Sequence, residues 1–288
     1  MKNPIIYFVV LFVSYFSLNA QDDLLEELEA ENALDSTKSV VGYAFKALKI
    51  VNFESTKLAS KGDFYFIVAH RFGSVQNGFD DLFGLDNAVT RLSFLYGFTD
   101  WLNVGVARSS FQKTYGVHAK YKIISQTENG FPFNITGYNL VTVNTQLDRS
   151  FLPGLEFNNR LAYTTQLLIS RKFSNAFSFQ LAPSLLHENL VSFIPQDNTQ
   201  FILGMGGRYK ISKRVSINAD YGWHLNRAAN SPFNNSLSLG VDIETGGHVF
   251  QLHFTNAQPM FENGFLANGT GDWTEGVFFF GFNLSRVF

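Results

Sequence analysis

From Asp63 onward the chain repeats one pattern, in which roughly ten residues alternate apolar and polar side chains and then turn. Tyr115, Val117, Ala119, Tyr121 and Ile123 interleave with His118, Lys120 and Lys122. Val215, Ile217, Ala219, Tyr221 and Trp223 interleave with Ser216, Asn218, Asp220 and His224. Leu237, Leu239, Val241 and Ile243 interleave with Ser238, Asp242 and Glu244. Strand side chains alternate between faces, so each segment carries one greasy face and one polar face. The pattern predicts twelve strands, at 63–73, 88–98, 101–109, 114–126, 132–145, 159–173, 176–187, 199–211, 214–225, 235–245, 247–257 and 274–287.

The connections between these segments alternate in length. Short turns stand at Thr99-Asp100, Glu128-Asn129-Gly130, Ser174-Asn175, Ser212-Lys213 and Gly246-Gly247. Longer loops stand at 74–87, 146–158, 188–198, 226–234 and 258–273, with a shorter one at 110–113. Short turns on one rim and long loops on the other are the mark of an outer-membrane barrel with periplasmic turns. An even strand number then places both termini on the periplasmic side. In hydrocarbon every backbone donor and acceptor must pair internally, so such a sheet closes on itself. Aromatic residues near predicted strand ends (Phe98, Trp101, Tyr209, Trp223, Phe254, Phe282) suit interfacial girdles. The predicted fold is therefore all-β, a transmembrane antiparallel up-and-down barrel of about twelve strands with a short periplasmic amino-terminal segment. The competing reading is a soluble sandwich or lipocalin-like exported barrel, and the count becomes fourteen if residues 40–60 join the wall.

Composition fits this picture and excludes others. The chain is 45% hydrophobic and carries 32 Phe, yet its mean hydropathy is -0.00. Polytopic helical proteins need repeated apolar runs of about 18 or more residues, which that average disfavours. The absence of Cys excludes disulfide scaffolds, thiolate zinc sites, cysteine nucleophiles and a lipoprotein anchor. A net charge of -2 gives nucleic acid no bulk electrostatic attraction.

The amino terminus sets the compartment. Lys2, the apolar run 5–16 and Ser17-Leu18-Asn19-Ala20 read as a secretory signal peptide over 1–20. Residues 21–61 form an acidic leader and periplasmic or plug segment, and 62–288 the barrel. Asp22, Asp23, Glu26, Glu27, Glu29, Glu31 and Asp35 make 22–35 either a solvated leader or a small docking helix for a periplasmic partner. Residues 40–51 read equally as an isolated strand or a plug.

Parity assigns the lumen charges. Arg91, Lys120, Lys122, Arg160, Lys172, Arg208 and Lys210 fall mostly on the fourth to eighth strands. Asp220, Asp242, Glu244 and Glu275 fall on the ninth to twelfth. The lumen is then basic on one wall and acidic on the other. Either cross-lumen ion pairs fill a narrow barrel, or a polar channel carries a transverse field. Residues 62–288 hold 16 Lys+Arg and 16 Asp+Glu, so the acidic bias belongs to the leader.

No motif for chemistry emerges. His118, His224 and His253 reach the lumen without metal-ligand spacing, no G-x-S-x-G elbow occurs, and Ser184/His187 is a nonspecific pair. Gly204-Met205-Gly206-Gly207 lies inside a strand, where glycine relieves crowding or permits curvature. No metal or cofactor is expected. The functional expectation is a non-enzymatic barrel, either an accessory or structural subunit of an outer-membrane complex or a narrow solute channel. The alternative is a barrel enzyme acting on lipid. The expected partners are outer-membrane lipid and lipopolysaccharide, the barrel-insertion machinery, and a periplasmic or outer-membrane protein.

Several ordered blocks carry a family resemblance: His70-Arg71-Phe72-Gly73, Asp81 to Asp86, Tyr96-Gly97-Phe98-Thr99-Asp100, Val104 to Ser109, and Lys120-Tyr121-Lys122 through Gln126. They resemble an uncharacterised, domain-of-unknown-function family of Bacteroidota outer-membrane β-barrels, over roughly 40–288. The resemblance implies a barrel without an assigned activity, from a setting that often includes c-type cytochromes and lipocalin-like isoprenoid-binding proteins. Within these blocks Arg71 and Asp86 flank the first long loop, which suggests an ion pair fixing it. Phe280, Phe282, Leu284 and Phe288 occupy alternate positions at the carboxyl end, and the chain ends on Phe. That resembles the terminal-strand signal read by the insertion machinery, with Arg286 as the departure.

Overall fold

The computed structural model describes residues 40–246 and 248–288; the signal-peptide and leader readings at 1–39 lie outside the described residues. Twelve antiparallel strands form a closed barrel. They are β1 (Phe64–Ser74), β2 (Ala88–Thr99), β3 (Leu102–Ser109), β4 (Tyr115–Ile124), β5 (Asn134–Val143) and β6 (Leu161–Lys172), then β7 (Phe177–Glu188), β8 (Thr199–Lys210), β9 (Val215–His224), β10 (Ser236–Thr245), β11 (His248–Thr255) and β12 (Phe279–Val287). Each strand pairs with its sequence neighbours, and β1 closes on β12 through pairs such as Val68↔Leu284. Phe64 and Phe288 finish the seam by exchanging backbone hydrogen bonds of 3.3 and 2.9 Å. Residues 40–60 stay out of the wall, so the count is twelve.

The last strand begins at Phe279 rather than 274. Asp272 holds the preceding segment in a turn, accepting from the Thr274 amide at 2.7 Å and its hydroxyl at 2.6 Å, and Gly276 sits at φ 74. Such local side-chain bonds compete with the ladder.

Alternation separates two faces everywhere. Phe94, Val106, Val117, Leu185, Phe201, Trp223, Leu239 and Phe254 are exposed on the outer surface, where a spanning barrel meets hydrocarbon. Arg286 shares that outer parity, and its guanidinium lies 4.6 Å over the Phe288 ring. A cation–π contact near a rim lets this cation reach the interface.

The inside is a packed core. Tyr138, Leu140, Leu168, Leu186 and Ile202 from the wall cluster with Phe53, Phe261, Phe265 and Leu266. The β11–β12 connection turns inward here and carries a short helix, α1 (Glu262–Ala267), whose 6 residues are all buried.

Candidate functional site: the plugged lumen

Residues 40–62 enter and leave the barrel at the short-turn rim. The Val41 amide donates to Gln126 at 3.0 Å beside the β4–β5 turn, and Gly62 returns to Gly97 at 2.8 Å at the end of β2. Between them the chain forms an irregular hairpin, with Ser55 donating to the Leu48 carbonyl at 2.9 Å and Ile50 to Phe53 at 2.8 Å. The 40–51 segment is thus a plug, and its apex is Val51-Asn52-Phe53.

Backbone without a regular ladder is tolerated at membrane depth only where protein satisfies its polar groups. The wall supplies those partners with side chains. Asp220 Oδ2 accepts the successive amides of Val51, Asn52 and Phe53 at 3.0, 2.7 and 3.1 Å. Asn103 accepts from the Ala59 amide at 2.8 Å and donates to the Ala59 carbonyl at 3.1 Å. Gln180 accepts from Thr56 at 3.1 Å and donates to Glu54 at 2.8 Å. Gln251 donates to the Lys49 and Ile50 carbonyls, and Asn283 to that of Val51. Carboxamides suit this role because each carries both a donor and an acceptor. Asn52 is anchored further by Ser238 and Thr255, both at 3.0 Å, and by Arg71 Nη2 at 2.8 Å.

Space for the hairpin comes from missing side chains. A Cβ on Gly204 would lie 2.3 Å from the Phe53 ring, and one on Gly206 2.7 Å from Ile50. The glycine run read as relieving crowding therefore seats the plug.

An ion network fixes the hairpin's base. Glu54 pairs with Lys49 and Lys120, each at 2.7 Å, and Lys120 Nζ also donates to the Leu48, Ser55 and Lys57 carbonyls at 3.1–3.2 Å. Burial alone would push the Glu54 carboxyl up, but Lys120 and Lys49 together hold it far below the usual carboxylate range. The plug also meets α1, because Lys49 lies 3.6 Å from Glu262 and Phe53 packs edge-on against Phe265 at 5.3 Å. On the long-loop side of α1 a cavity of about 130 Å³ is lined by Arg160, Glu188, Asn144, Phe261 and Asn263. Glu188 there accepts from Gln200, Asn263 and Asn268.

The charges assigned by parity spread over these surroundings. Lys120, Asp220, Arg91, Arg208, Asp242 and Glu244 are buried inside. Arg208 pairs with Glu244 at 3.1 Å, Arg91 donates to the Met260 carbonyl at 3.0 Å, and Asp242 accepts from Gln251 at 2.9 Å. Lys122, Arg160, Lys172 and Lys210 are half-buried near the rims. Glu275 needs correction, since it sits exposed in the β11–β12 connection and not on a strand. The suggested Arg71–Asp86 ion pair is also absent. Arg71 shares the inward face of Ile67 and Ala69 and binds Asn52 and Asn283, while Asp86 is exposed in the first long loop. Ser184 and His187 stand on opposite faces of β7, the serine inside and bonded to Gln166 at 2.8 Å, so they form no dyad. Sequence reading missed Glu54 and the wall carboxamides Asn103, Gln180, Gln251 and Asn283. The available signal for the four carboxamides was their shared inward parity, whereas Glu54 lies on the plug, which has no such period.

The sequence of residues 45–288 matches a family described as a membrane bound beta barrel domain, DUF5777. The chain belongs to this family. Membership makes the barrel membrane-bound and leaves its activity open. No curated protein matches the sequence. Among solved structures, the NanC porin shows 10% identity, with 78% of this chain and 98% of that chain covered, at a TM-score of 0.49. An outer membrane channel from Pseudomonas putida F1 shows 14% identity, covering 81% and 97%, at 0.48. The KdgM porin shows 10% identity, covering 77% and 99%, at 0.48.

Proposed function

We propose that this family member is an outer-membrane solute channel held closed by its own plug. The observation that carries this reading is the wall's accommodation of a separable segment. Small barrels can fill their interiors with wall side chains, but here Gly204 and Gly206 withhold them and residues 44–59 take the space. The apex is fastened both by hydrogen bonds, which water can replace when the hairpin withdraws, and by the burial of Phe53 against Phe265, which withdrawal must undo. The short-turn rim faces the periplasm in this reading, so withdrawal is toward that side, and the 130 Å³ cavity is the solute's outer vestibule. No step of the reading requires an enzyme or cofactor. Phe280, Phe282, Leu284 and Phe288 serve as the insertion signal, and Phe288→Ala is expected to slow appearance of the folded, heat-modifiable form in pulse-chase.

Planar-bilayer recording tests the channel. The full chain is expected to be nearly silent, and a variant lacking residues 40–60 to conduct steadily while keeping heat-modifiable migration. A folded, plug-deleted barrel that stays silent contradicts the proposal.

A further inference from the structure

The two buried guanidiniums of the β1–β2 wall lack the carboxylate partners that buried charges ordinarily have, although Arg91 lies 5.9 Å over the Phe261 ring. Arg71 and Arg91 are 1% and 5% exposed. The register sets Arg91 opposite Ala69, which makes Arg71 its diagonal neighbour on the same inner face, about 7–8 Å away along the sheet. Their acceptors are neutral. Arg71 donates to the His70 carbonyl, Asn283 Oδ1 and Asn52 Oδ1, and Arg91 to the Met260 carbonyl and Ser93 Oγ. Among the described residues neither has a carboxylate within 4.0 Å, and Arg71 Nε has no hydrogen-bond acceptor. Both residues line one cavity of about 20 Å³, together with Lys49, Glu54, His118 and Met260.

Charge does not balance around this cavity. Lys49, Lys120, Arg71 and Arg91 are met by Glu54, Glu262 and Asp220, and the first two of those carboxylates are already engaged by the lysines. One positive charge is left over, in surroundings where an uncompensated ion is costly. The volume suits a single water-sized species, since about 10–15 Å³ accommodates one. A water would give Arg71 Nε an acceptor without neutralising the surplus. A small monovalent anion does both.

We propose that this cavity binds one halide-class anion, chloride in physiological media, between Arg71 and Arg91. Arg71 holds Asn52 at the plug apex, and Arg91 holds Met260 on the segment entering α1. The anion therefore ties together the anchors of both elements that fill the lumen. The site stands whether or not the barrel ever conducts.

Two measurements on the purified full chain in detergent test it. Thermal unfolding, followed by tryptophan fluorescence, compares sodium chloride, bromide and gluconate at equal ionic strength. Crystals grown in bromide locate the ion by anomalous scattering. The expected results are a saturable rise of several degrees in the midpoint with chloride and bromide but not gluconate, and a bromide peak between Arg71 and Arg91. Arg91→Met is expected to lose the halide dependence, whereas Arg286→Gln, on the outer surface, keeps it. No bromide peak at the cavity overturns the proposal whatever the melting curves show. A peak without a midpoint shift means an adventitious ion only, and also overturns it. Halide dependence that persists in a folded Arg91→Met barrel does the same.

Discussion

Replacing Asp220 with Ala removes the acceptor of three consecutive plug amides, at 3.0, 2.7 and 3.1 Å, in one step. Hydrogen bonds to a charged group contribute about 1.5–3 kcal/mol each, and each buried amide left unpaired carries a desolvation penalty of about 1–3 kcal/mol. Bonds that share one oxygen are not additive, and Asn52 keeps its contacts to Ser238, Thr255 and Arg71. A loss of about 3–5 kcal/mol is therefore expected, the range for breaking a buried charged network. At about 1.4 kcal/mol per tenfold, the plug-out population rises by roughly two to three and a half orders of magnitude. Single-channel recording reads that population as open probability. Asp220→Asn supplies the conservative comparison. The other carboxylate oxygen makes no hydrogen bond, so an amide nitrogen can stand there while the carbonyl oxygen still accepts from the plug. Asn is accordingly expected to lose only about 1–1.5 kcal/mol, and to open much less than Ala. An Asp220→Ala barrel as silent as the unmodified chain, with residues 44–59 equally resistant to protease, would refute the claim that this carboxylate holds the apex.

Two further outcomes follow from the same contacts. Gly204→Val drives a side chain into the Phe53 ring, and overpacking of about 1–3 kcal/mol should raise open probability roughly 5- to 140-fold without loss of the folded barrel on gels. The pH response follows from Glu54, whose carboxyl is held below its ordinary value of 4.5 when the plug is seated. A depressed carboxyl contributes stability that is fully present above 4.5 and is lost as pH falls toward the seated value. Closure should therefore persist down to about pH 4.5 and weaken below it. Lys120→Met removes one of the two lysines at 2.7 Å, so the seated carboxyl moves back toward its ordinary value and the acid-dependent loss below about pH 4.5 should be smaller than in the unmodified chain, as conductance recorded against pH would show.

The barrel was legible in the sequence because lipid on one side and protein on the other force strict alternation, which β9 and β10 display without interruption and β4 as far as Lys120. The twelfth strand was started too early because Val277 and Phe278 lead directly into the aromatic run of β12, while the Asp272 turn acts through hydrogen bonds that alternation does not encode. The plug was barely legible. Residues 44–59 have neither a period of 2 nor of 3.6, since many of their backbone partners are side chains distant in sequence, such as Asp220, Gln180 and Gln251. Indirect traces existed on the wall. Inward positions occupied by glycine at 204 and 206 leave a volume that something must fill, and inward carboxamides, each carrying both a donor and an acceptor, suit irregular backbone. Arg71 was misassigned because its position near a loop outweighed its parity. The family blocks around it located the barrel and gave no hint of what lies inside.

The central claim is that residues 44–59 occupy the lumen, and thiol accessibility tests it most directly because the chain contains no cysteine. Ser55 is 0% exposed within the plug, whereas Ser60 is exposed where the chain returns to the rim. In folded barrels a charged methanethiosulfonate reagent should modify Ser60→Cys quickly and leave Ser55→Cys unmodified, with Ser55→Cys becoming reactive when Asp220→Ala is added. Equal labelling of the two single variants in the folded barrel would contradict the plugged lumen.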